Sequence, residues 1–115
     1  MECVLIGSRK SFESLNLSNI EDDLNELESL AYTLSFSVLD KNILNLKKIN
    51  PSTFYGKGQI KVISSQLSAL KCKYLIFNDD ISPSQYKNIQ KLLSKKIKIF
   101  DRTGLILEIF KRNAK

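Results

Sequence analysis

Apolar and polar positions along the chain fall into short blocks whose spacing changes from strand-like to helical and back. "CVLI" at residues 3–6 is a continuous apolar run ended by Gly7, the pattern of a strand buried on both faces, as parallel strands are. Ile20, Leu24, Leu27, Ala31 and Leu34 then follow helical spacing. Ahead of them Ser18 and Glu21 form a capping box, and Asp22 and Asp23 suit the positive end of the helix dipole. In residues 36–48, Phe36, Val38, Leu44 and Leu46 share one alternating phase, but Asp40 and Asn42 occupy that same phase between them. Such a polar centre predicts an edge strand or a bulge. "NPST" at residues 50–53 reads as a turn. Ile60, Ile63, Leu67 and Leu70 make one apolar stripe on a second helix. "YLIF" at residues 74–77 is a third strand, and Ser82-Pro83-Ser84-Gln85 is a capping box with proline at the first helical position. The helix it opens turns Tyr86, Ile89 and Leu93 inward. "IKIF" at residues 97–100 is the fourth strand, followed by a last helix that starts apolar almost all round.

Strands alternating with helices, joined by short right-handed crossovers, predict an α/β three-layer sandwich. Its sheet has four parallel strands in the order 2-1-3-4, which puts the polar-centred second strand at an edge. The first helix covers one face and the second and third cover the other. A chain of 115 residues is one domain by length, spanning residues 1–115.

Composition narrows the chemistry. The longest apolar runs are far too short to cross a bilayer, and the amino terminus lacks the basic start of a secretory signal, so the expected location is the cytoplasm. With two cysteines and no histidine, zinc clusters, Cys-His nucleophiles and Ser-His-Asp triads are excluded on supply. Cys3 and Cys72 read as small buried hydrophobes rather than a redox pair. Charge is unevenly spread: residues 1–40 hold two basic and eight acidic side chains, residues 41–115 sixteen basic and four acidic. That asymmetry fits a polyanionic partner such as nucleic acid. The fifteen lysines against three arginines fit an A/T-rich gene equally well, and charge alone leaves both readings open.

In sheets of this kind ligands gather beyond the carboxyl ends of the strands, where the strand order reverses. Four polar stretches are expected there: Gly7-Ser8-Arg9, Gly56-Lys57-Gly58, Asn78-Asp79-Asp80 and Asp101-Arg102. Gly56-Lys57-Gly58 is neither a P-loop nor a dinucleotide fingerprint, and reads as a flexible bend whose backbone N–H groups and Lys57 could hold one anion. Asp79 and Asp80 stand where receiver domains carry a phospho-accepting aspartate, but the first strand is followed by Gly7, Ser8 and Arg9 instead of magnesium-binding acids. Loop solvation and helix capping account for Asp79, Asp80 and Asp101 as rim acids. No catalytic residue or metal ligand is assigned.

Three stretches, "PSTFYGKGQ" at residues 51–59, "LIFNDDISPSQYKNIQKLL" at residues 75–93 and "DRTGLILEIFKRNAK" at residues 101–115, together resemble the N-terminal domain of the HflX family of ribosome-associated GTPases. The resemblance implies a small parallel α/β unit that precedes a helical hairpin and a P-loop GTPase domain, neither of which lies in this chain. GTP and magnesium are thereby implied only for that downstream domain, and no cofactor for this one, although adenine nucleotide binding has been attributed to the family's N-terminal region. It also implies the large ribosomal subunit and its RNA as partner, in ribosome splitting or rescue. The contact candidates are Arg9, Gly56, Lys57, Gly58, Lys87, Lys91, Lys95, Lys96 and Arg102. One departure stands out: the family usually has lysine directly after the second glycine, where this chain has Gln59. The alternative from the residues alone is a small nucleotide- or phosphate-binding domain with weak hydrolase activity, using Gly56 to Gly58 and a metal on Asp79 or Asp80.

Overall fold

A computed structural model describes residues 1–12 and 19–113. Its elements are β1 (Glu2–Lys10), α1 (Ile20–Thr33), β2 (Ser37–Leu46), α2 (Lys57–Leu70), β3 (Tyr74–Phe77), α3 (Pro83–Leu92), β4 (Lys98–Phe100) and α4 (Arg102–Asn113). The four strands form one parallel sheet in the order β2-β1-β3-β4, as the sequence predicts. Two apolar clusters sandwich it. Cys3, Leu5 and Ile76 pack with α1 and with Leu105 of α4 on one face. Val4, Ile6, Leu75 and Phe77 pack with Ile60, Ile63 and Leu67 of α2 and Ile89 of α3 on the other. Among the described residues no helix is long and apolar enough to cross a membrane.

The central strand is longer than its apolar run. β1 passes through Gly7 and stays paired to β2 as far as Lys10. Gly7 therefore does not end the strand. A Cβ there would come within 2.8 Å of Ile20 Cδ1, so the glycine lets the start of α1 press onto a strand that remains extended.

The edge strand holds both features that its polar centre predicts. Val38 pairs with Cys3 but Asp40 pairs with Val4, so Leu39 is an extra residue in a bulge. Because side chains alternate with period two, one inserted residue exchanges the faces. Phe36 and Val38 pack on the α1 side, whereas Leu44 and Leu46 pack on the α2 side. They do not share a face, contrary to the single-phase reading. Beyond the bulge Lys41 pairs with Glu28 of α1, while Asp40 and Asn42 both bond Gln66 of α2.

Local signals at the helix starts explain their positions. α1 is capped by Asn19, whose Oδ1 accepts from the Glu21 N–H at 2.9 Å. The proposed cap Ser18 lies outside the described residues. α3 opens on the expected box: Ser82 Oγ accepts from the Gln85 N–H and Gln85 Oε1 accepts from the Ser82 N–H. Asp101 caps α4, its Oδ1 accepting from the Gly104 N–H at 2.7 Å. Leu70, the last residue of α2, is exposed instead of completing that helix's apolar stripe.

Cys3 and Cys72 are free, buried and in different apolar clusters. Burial, above all, pushes the Cys3 thiol up to about 12, so it stays protonated and unreactive at neutral pH.

Candidate functional site

The strand tips do converge, and they converge on one carboxylate. Asp79, one residue beyond Asn78 at the end of β3, accepts from Ser8 Oγ at 2.8 Å, Lys10 Nζ at 2.8 Å and Tyr55 Oη at 2.9 Å. Its side chain is only 9% exposed. The Tyr55 ring stacks on Phe77 with centroids 5.0 Å apart, and Lys10 Nζ lies 5.9 Å from the centroid of Phe54. Burial first, and then the Asp79 charge, raise the Tyr55 pKa well above its ordinary value, so the phenol remains a donor to the carboxylate. Asp79 thereby ties β1, β3 and the segment before α2 into one unit.

The other rim acids are also engaged. Asp80 accepts from the hydroxyl and the N–H of Thr103, and Asp101 Oδ2 accepts from the Ile81 N–H at 3.1 Å. Arg102 donates to Asn78 Oδ1 at 2.9 Å and lies 3.4 Å from Glu26 of α1. Arg9 pairs with Glu21 at 2.6 Å on the surface. Asp79 and Asp80 thus turn to separate partners and do not form a shared oxygen cage.

The glycine-flanked lysine is shaped differently from a flexible bend. Gly56 is the N-cap of α2 with φ −61° and ψ 142°, an extended conformation open to any residue, and Gly58 lies within the first helical turn. Gln59 provides the cap: its Oε1 accepts from the Gly56 N–H, and its Nε2 donates to the Asn45 carbonyl. A lysine at position 59 would have no such acceptor, which gives the Gln59 departure a local structural role. Lys57 is exposed at the rim.

The remaining lysines are not at the rim. α3 runs back from the carboxyl ends of the strands, so Lys87 and Lys91, four apart, descend its outer side, and Lys95 follows in the turn between α3 and β4. Lys96 lies at the amino ends of the strands, beside Lys71 and Lys73 in a cavity of about 300 Å³. There α2 and α3 both end, and cations complement the negative ends of two helix dipoles.

Lys87, Lys91 and Lys95 line a groove of about 620 Å³ together with Tyr86, Gln90 and Leu93. Tyr86 is 36% exposed and does not point into the core as its spacing predicts. Its hydroxyl donates to the Ile99 carbonyl of the edge strand β4, with its pKa raised by burial and then by Asp101. Gln90 Nε2 donates to the Ile97 carbonyl at 3.1 Å. Ser8 lies at the rim, as its stretch Gly7-Ser8-Arg9 predicts, whereas no motif marks Tyr86, Gln90, Lys10 or Tyr55 as site residues. The available signal was position: Tyr86 and Gln90 flank the lysine spacing, and Lys10 aligns with Asp79 only if β1 passes Gly7.

The model of the GTP-binding GTPase N-terminal family matches residues 21–111. Among curated proteins, the GTPase HflX of Flavobacterium psychrophilum is 37% identical over 95 residues, covering 83% of this chain and 22% of that protein. The GTPase HflX of Alkalihalophilus pseudofirmus is 32% identical over 112 residues, covering 97% and 25%, and that of Escherichia coli is 32% identical over 94 residues, covering 82% and 22%. The chain spans about a quarter or less of the length of each of these three. Solved structures share the fold: a mutation variant of SsGBP superimposes with a TM-score of 0.76 at 20% identity, over all of this chain and 34% of that one. A GTP-binding protein from Sulfolobus solfataricus in complex with GDP gives 0.66 at 22% identity, over 96% and 30%. The chain therefore belongs to the GTP-binding GTPase N-terminal family and corresponds to the amino-terminal domain of HflX GTPases, not to their catalytic domain.

Proposed function

We propose that this domain is a non-catalytic RNA-binding module that docks an HflX-like GTP-binding protein on the large ribosomal subunit, in the cytoplasm, during ribosome splitting or rescue. The observation that carries this is the group of lysines on the outer side of α3 and in the turn that follows it. From Ile81 to Phe100 the chain has five lysines and no acidic residue, and three of the five share one groove. Among the described residues none of those three forms an ion pair within the domain. Lysines in that state are suited to phosphate contacts, which position a protein on nucleic acid without reading sequence. Lys57, exposed at the rim, adds to the basic surface on another side. GTP hydrolysis, with its magnesium, belongs in this reading to a P-loop domain that follows a helical hairpin further along the parent protein. The outer side of α4, where Leu107 and Phe110 are 55% and 67% exposed, is the surface those downstream parts would cover. A nucleotide site at Gly56 to Gly58 has less support, since Asp79 and Asp80 are each held by structural donors.

The triple variant Lys87→Glu, Lys91→Glu, Lys95→Glu tests the reading by co-sedimentation with purified large ribosomal subunits at low salt. Association of the unaltered chain and its loss by at least about 100-fold in the variant are expected, since three attractive phosphate contacts become repulsive. Equal association of both would count against this lysine group as the contact.

A further inference from the structure

The groove beside α3 has more than phosphate binding requires: an immobilised aromatic face and an apolar floor. The Tyr86 hydroxyl is anchored on the Ile99 carbonyl, which fixes the ring, yet over a third of the residue remains exposed. Leu93 supplies the floor, Gln90 is held by the Ile97 carbonyl, and no acidic side chain lines the groove. The groove is open to solvent, with a volume of about 620 Å³. We propose that this groove binds single-stranded RNA, with one unstacked base lying on the ring of Tyr86 and the flanking phosphates held by Lys87, Lys91 and Lys95. The proposal rests on the RNA-binding reading and goes beyond it by naming the form of the strand and the residue that holds a base. A base inside a duplex is stacked on both sides and cannot offer its face to Tyr86, whereas one in a loop, bulge or end can. An acidic peptide would satisfy the lysines but leave the ring without a planar partner.

The test uses the 115-residue chain and a single-stranded oligoribonucleotide carrying 2-aminopurine, compared with the same strand fully paired and with polyglutamate of equal charge. Binding should quench the 2-aminopurine, and the strand should bind more tightly than either the duplex or polyglutamate. Tyr86→Leu should weaken the strand by about 5- to 150-fold and abolish the quench, the range that removal of one stacking platform covers. Tyr86→Phe, which keeps the ring and loses only its anchor, should retain the quench and lose less affinity than Tyr86→Leu, which shows that the loss in Tyr86→Leu comes from stacking. Equal binding and quenching in Tyr86→Leu, or equal affinity for duplex or polyglutamate, overturns the base-stacking proposal. If salt-sensitive subunit association then persists, the broader RNA-binding reading stands without it. If neither the strand nor the subunit binds, both fall.

Discussion

Asp79→Ala is expected to destabilise the domain by about 3–5 kcal/mol, the usual cost of removing one partner from a buried charge pair. The cost arises because three donors lose their acceptor together. Lys10 is left as a mostly buried ammonium, with its side chain 20% exposed, and the Ser8 and Tyr55 hydroxyls are left without the carboxylate. Each unsatisfied neutral donor costs about 1–3 kcal/mol where water cannot replace the partner. Tyr55→Phe, which removes one donor and keeps the stacked ring, should cost only about 1 kcal/mol. Urea unfolding midpoints at constant m-value measure both, and near-equal costs would contradict the shared-acceptor account. Asp79 is in this account a structural tie at the strand tips, not a ligand group.

Leu27→Lys should leave the chain unfolded at ambient temperature. Leu27 is fully buried in α1 against the β1 and α4 side of the sheet, and its burial contributes roughly 1.5–3 kcal/mol. Lysine forfeits that and adds an unpaired buried charge worth several kcal/mol more, against a total stability of roughly 5–15 kcal/mol. Tyr32→Lys, five residues along the same helix at a position 74% exposed, should change stability by less than about 0.5 kcal/mol. Thermal melting followed by circular dichroism separates the two. An unchanged melting temperature for Leu27→Lys would refute the assignment of this helix face.

How far the sequence reveals the fold depends on whether the signal is local. "YLIF" names β3 to the residue, and Ser82-Pro83-Ser84-Gln85 places the start of α3, because strand burial and capping are decided within a few positions. Gly7 misleads because a glycine in a strand looks like a stop until the helix packed on it is known. Leu39 misleads because a bulge adds a residue without any composition mark, and the face exchange shows only in register with β1. The site is less legible still. The Asp79 network joins residues 8, 10, 55 and 79, which come together only through the sheet order. Tyr86 fits an inward helical position by spacing, and it lies outside the core because its hydroxyl has an edge-strand carbonyl to reach.

The salt dependence of association with large ribosomal subunits tests the central claim most directly. If Lys87, Lys91 and Lys95 each neutralise one phosphate, the logarithm of the association constant should fall with the logarithm of salt concentration with a slope of about −2 or steeper. The Lys87→Glu, Lys91→Glu, Lys95→Glu variant should lose most of that slope along with its affinity. No association at low salt, or association indifferent to salt, would contradict the account.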